Sequence, residues 1–138
     1  MKDAFSIKNF DRKKSGKKHI IFICDHASNY IPKKFKNLGL SSDHLKSHIS
    51  WDIGAKEFCV GIAKYLRQSC FLSNFSRLLI DPNRNLNSSE LILENSCGIR
   101  VPGNIDLNLR EKQKRLVDFH SNYHNGLDKF VKKKEKKY

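Results

Sequence analysis

Three features of the 138-residue sequence predict an α/β fold in which a layered, mostly parallel sheet carries flanking helices. The run His19-Ile20-Ile21-Phe22-Ile23-Cys24 is β-branched and aromatic, and it breaks at polar Asp25-His26, as a buried strand does where it opens into a loop. Ile53, Ala55, Phe58, Cys59, Ile62, Ala63 and Leu66 then recur at helical spacing, and the apolar run Cys70–Phe75 follows. Strand, helix, strand in that order is the unit of a parallel sheet.

The elements follow in order. Residues 1–18 are Lys-rich with no sustained apolar period and read as a basic arm with room for one short edge strand. Asn29, Pro32 and Gly39 mark a loop over 25–42, and Ser42-Asp43 is a cap for a short helix over 43–49. The amphipathic helix spans about 52–68, with Ser50 or Asp52 as its cap, and packs on the sheet. Cys70–Phe75 and Leu78–Ile80 can each be a strand. Residues 82–105 are rich in Asn, Pro and Gly and read as loop, with a short helix admissible over 88–95. Asn108, with Glu111 three positions on, opens a long helix whose apolar face is Leu116, Phe119, Tyr123, Leu127 and Phe130. One domain over 19–131 and a Lys-rich tail over 132–138 complete the organisation, in keeping with a usual domain size of about 100–150 residues.

The net charge of +13, from 27 Lys+Arg against 14 Asp+Glu, points first to nucleic acid. Most of that excess lies in residues 1–18 and 129–138, and the interior is near balance. The basic ends carry no interleaved aromatics, so a nucleic-acid-binding module is the weaker reading. No run approaches the ~20 apolar residues of a bilayer span, and the start lacks an apolar signal segment, so a cytoplasmic protein is expected. Cys24, Cys59, Cys70 and Cys97 form no C-x-x-C pair, which argues against a finger-type zinc site. The first three sit in apolar patterns as packed thiols.

Three clusters could carry chemistry. Asp25-His26-Ala27-Ser28-Asn29 brings a carboxylate, an imidazole and an amide to one strand end, which suits a metal or acid/base site, or a loop whose polar side chains bond its own backbone. In His48-Ile49-Ser50-Trp51-Asp52-Ile53-Gly54, His48 can face Asp52 across a turn, or Asp52 can cap a helix. In Ser76–Asn85, Arg77 and Arg84 bracket a short apolar run, and the planar guanidinium suits a carboxylate or a developing oxyanion. His120 and His124 stand one turn apart, a spacing open to a shared metal, with His120 read as lying on a wet helix face.

Along about 19–124 these clusters resemble the N-formylglutamate amidohydrolase family in order and context. The matching stretches are Ile23–Pro32, Leu38-Gly39-Leu40, His48–Ala55, Ser76–Asp81, Asn83-Arg84, Pro102-Gly103-Asn104 and Tyr123-His124. Asp25 stands where the family usually has Glu, which keeps the carboxylate. The resemblance implies a phosphorylase/zinc-peptidase-like α/β fold and a zinc-dependent hydrolase of an N-formyl or N-acyl amino acid amide bond. It implies His26 as a zinc ligand with Asn29 or Asp25 beside it, Arg77 as the oxyanion stabiliser, and Asn83-Arg84 as the clamp for the substrate carboxylate. His48, Asp52 and His124 are further candidates. The resemblance covers roughly the first half of the family pattern. The chain is therefore expected to be a shortened form, with a second zinc-ligand histidine and a general base outside it. A non-catalytic carboxylate-binding remnant, half of a split enzyme met by a completing chain, or a homo-oligomer is the alternative expectation.

Overall fold

A three-stranded sheet positions the site. The computed structural model describes residues 3–11 and 20–135, so half of the predicted arm, His19 at the start of the predicted domain, and the end of the tail lie outside the described residues. Strands β1 (Phe5–Asn9), β2 (Ile21–Cys24) and β3 (Ser69–Ser73) are ordered β1-β3-β2. β2 runs parallel to β3, with Ile21 opposite Ser69, and β1 runs antiparallel to it, with Phe5 opposite Ser73. The sheet is thus mixed rather than mostly parallel. The sequence contains one strand–helix–strand unit to supply a parallel pair, and the edge strand from the basic arm adds the antiparallel one.

β3 is buried at all five positions and divides the core by its two-residue period. Cys70 and Leu72 meet Cys24, Cys59 and Ala63 beneath α2 (Ala55–Leu66), while Phe71 joins Phe75, Phe119, Tyr123 and Phe130 on the other face. Phe71 meets Tyr123 edge-on at 5.2 Å between ring centroids. The layering of helix, sheet and helix follows from that alternation. Of the predicted α2 face, Cys59 and Ala63 are buried, whereas Ile53 and Phe58 are exposed, because only a narrow stripe of the helix reaches the short sheet.

Local chemistry explains the other boundaries. Ser41, not Ser42 or Asp43, caps α1 (Ser42–Lys46), its hydroxyl accepting from His44 N–H. Gly54, at φ +82°, precedes α2, and neither Ser50 nor Asp52 caps the helix. Leu78–Ile80 is a buried turn, tied by Leu78 N–H to the Ser76 hydroxyl, and not a strand. No helix forms over 88–95. The stretch instead leads into a hairpin of β4 (Asn95–Ser96) and β5 (Ile99–Arg100), turned by Cys97 and Gly98, both at positive φ.

The predicted long helix is continuous from α3 (Leu109–Arg115) through a π-helical segment, Leu116–Ser121, into α4 (Asn122–Glu135). Asn108 caps its start, accepting from Glu111 N–H at 2.9 Å. Its N-terminal end locks the turn between β3 and the 82–105 loop. Buried Arg115 donates to the carbonyls of Leu79 and Gly103 and to the Asn104 side chain, which in turn donates to the carbonyls of Leu78 and Leu93. Burial without a bonded carboxylate lowers the Arg115 pKa.

Candidate active site

The C-terminal end of β2, where Cys24 gives way to Asp25-His26, meets the start of α2 and the loop after Ile80. A cavity of about 330 Å³ opens there, lined by β2 and α2 together with Asp25, His26, Asp52 and Asn83. Ligand sites of open α/β sheets favour this end of the strands.

His26 is the centre of the site and is buried. Its Nε2 lies 2.7 Å from Asp81 Oδ1. Its Nδ1 lies 3.3 Å from Arg77 NH1 and 3.4 Å from Asp52 Oδ2. Arg77 also donates from NH2 to Asp81 Oδ2 at 2.9 Å. Since guanidinium can only donate and carboxylate can only accept, one tautomer satisfies both Asp81 and Arg77: Nε2–H donates to Asp81, and the Nδ1 lone pair faces Arg77. Asp81 thus fixes the ring from behind, as outer carboxylates do for ligating or basic histidines.

Asp81 is the residue that sequence reasoning left without a role. It is 1% exposed and accepts from His26, Arg77 and the Asn83 backbone. Burial alone would raise its pKa, but the hydrogen bonds from His26 and Asn83 and the charge of Arg77 outweigh burial and hold the carboxyl below its ordinary range. A signal was available in its spacing four residues after Arg77 inside an apolar turn.

The other candidates separate. Asp52 enters the site because it is released from capping α2, and its backbone N–H donates to the His26 carbonyl. Asn83 lines the cavity. Arg84 turns toward Glu90, 2.8 Å away, and does not line it. Asn29 donates to the Leu45 carbonyl and braces the loop. His48 is exposed in a turn, away from the cavity lining. Asp25 accepts from the Tyr123 hydroxyl, and burial raises the pKa of that phenol.

His120 is buried rather than wet. Its Nε2 donates to the Arg84 carbonyl, that of His124 to the Pro82 carbonyl, and burial lowers the His120 pKa. Each histidine thus spends Nε2 on a loop carbonyl, which fixes its tautomer and leaves Nδ1 as its acceptor nitrogen. Among the described residues, no three His, Cys, Asp or Glu side chains are grouped to hold a metal ion. His26 Nδ1 and the Asp52 carboxylate are the two donors that converge, one fewer than the three protein ligands typical of catalytic zinc.

Two further matched stretches support the site from below. Residues 36–39 all have positive φ, and this left-handed turn lays Leu38 against Gly103 so closely that a Cβ on Gly103 would stand 2.7 Å from Leu38 Cα. That contact seats Asn104 under the 77–81 turn.

A search of curated proteins gives no match. A solved structure of an Agrobacterium tumefaciens gene product is 29% identical and superposes with a TM-score of 0.87 over 96% of this chain and 51% of its own. The chain thus spans about half the length of that protein. The family model for N-formylglutamate amidohydrolase matches residues 18–138, a range that contains His26, Asp52, Arg77, Asp81, Asn83 and every element that holds them. With nearly the whole chain so covered, the protein belongs to the N-formylglutamate amidohydrolase family.

Proposed function

We propose that this site binds an N-formyl or N-acyl amino acid and takes part in hydrolysis of its amide bond. The observation that carries this reading is a buried histidine backed by a carboxylate, with a guanidinium at its other nitrogen, beside a cavity of about 330 Å³. Attack on the acyl carbonyl builds negative charge on oxygen, and Arg77, whose side chain is 21% exposed and held by Asp81, is the donor for that charge. Asn83 and Arg84 recognise the substrate carboxylate. The Arg84–Glu90 pair is half-exposed and weak, so a ligand carboxylate can displace Glu90.

The resemblance calls for zinc, which would supply an activated water. His26 and Asp52 are the donors proposed for it, but two donors do not complete the site. That two-donor set favours a second reading, in which the chain binds the acyl-amino acid without turning it over. The purified chain, with and without zinc, is tested for N-formyl-L-glutamate binding by calorimetry and for formate release. Binding with formate release supports the first reading and binding alone the second. Absence of both sinks the substrate assignment.

A further inference from the structure

One turn of the C-terminal helix holds both rims of the site. Tyr123 donates its hydroxyl to Asp25, the neighbour of His26. On the opposite rim, His124 Nε2 is 2.9 Å from the Pro82 carbonyl and His120 Nε2 is 3.1 Å from the Arg84 carbonyl. A carbonyl can only accept, so each imidazole is held as its Nε2–H tautomer. The two rings lie 4.5 Å apart. Between the two clasped carbonyls sits Asn83, whose N–H is bound by Asp81 and whose side of the loop lines the cavity. The helix reaches this position through the π-helical turn at Leu116–Ser121, a rare geometry that recurs at functional sites.

We propose that His120 and His124 are positioning residues: a histidine clasp that fixes the Pro82–Arg84 loop so that Asn83 is presented to the substrate carboxylate. The clasp stands on geometry, and its effect on substrate rests on the function proposed above. Neither histidine touches the cavity. They act through the loop, and the loop acts on the ligand.

Amide hydrogen exchange at Asn83 and Arg84, read by NMR, tests the clasp without requiring activity. His124→Ala, at an exposed position, keeps the fold, while His120→Ala removes the buried partner. Exchange at Asn83 and Arg84 should rise about fivefold to tenfold in each, the worth of one hydrogen bond, with the β3 amides unchanged. His124→Gln, whose amide nitrogen can replace Nε2, should restore slow exchange. Exchange unchanged in folded His124→Ala, or raised equally in His124→Gln, overturns the clasp.

The dissociation constant for N-formyl-L-glutamate should rise by a similar factor in both alanine variants and recover in His124→Gln. If the wild-type chain binds no N-formyl-L-glutamate, the substrate assignment fails, while the exchange data still decide the clasp. If binding is intact and unaffected by loosening of the loop, the positioning role is overturned.

Discussion

His26 Nε2 and Asp81 Oδ1 stand 2.7 Å apart with both side chains out of water, so the site rests on a buried imidazole–carboxylate pair. Asp81→Asn removes the nearer and more buried of the two carboxylates beside Arg77, the other being Asp52 at 3.8 Å, and should cost about 3 kcal/mol, the usual loss when one member of a buried pair is removed. The loss should depend on pH. A carboxyl whose native pKa lies below the unfolded value of about 3.9 contributes fully above that value and loses its contribution as pH falls through the native one. Urea unfolding should therefore show a wide gap between wild type and Asp81→Asn at neutral pH, and a narrowing gap on acidification below about pH 4. A constant gap would show that the charge of Asp81 is not what stabilises the pair.

Arg77 serves two acceptors with one planar fork, Asp81 from NH2 and His26 Nδ1 from NH1. Lysine keeps the charge but not the fork. In long-range nitrogen–proton spectra, wild-type His26 should carry its proton on Nε2, and Arg77→Lys should blur that preference. A ring protonated on Nδ1 in the wild type would refute the assigned arrangement.

The thiols should divide three to one. Cys24, Cys59 and Cys70 are buried together, and burial raises the pKa of all three, that of Cys59 to about 12. The thiolate is the reactive form, so raising the pH toward 9 leaves them protonated and protected. Cys97 is exposed on its hairpin turn. A disulfide reagent should titrate one thiol in the native protein and four in denaturant. Rapid reaction of a second native thiol would contradict the packing beneath α2.

Gly103→Ala places a methyl 2.7 Å from the Leu38 backbone, which cannot swing aside as a side chain can. Asn104→Ala strands the Leu78 and Leu93 carbonyls and one bond of Arg115. Each variant should lose about 2–4 kcal/mol in thermal or urea unfolding, through overpacking and unmet polar groups respectively. Losses below about 0.5 kcal/mol, the scale of an ordinary surface change, would mean that this network does not support the site.

Much of the fold was legible because it is written locally: the β2 run with its polar end, the helical spacing of α2, and the Asn108 cap. The site was legible to the extent that its residues stand in local motifs, as His26, Arg77 and Asn83 do. Asp81 was not, because a carboxylate closing an apolar run looks like a turn residue until the fold brings His26 to it from 55 positions away. The clasp was hidden for the same reason, since nothing local shows that His120 meets a carbonyl 36 positions earlier. The hairpin at 95–100 was missed because positive φ at Cys97 is not a property that cysteine advertises.

The central strand β3 takes both its partners from early in the chain, and the site closes only when Tyr123 reaches Asp25 across 98 positions. Contacts so distant in sequence slow folding, because the entropy of loop closure is lost before their energy is gained. During synthesis, the rim at Asp25 must therefore wait for the helix at Tyr123 to emerge. Until nearly all of the described chain has been made, His26 has a partner in Asp81 but no complete cavity to serve.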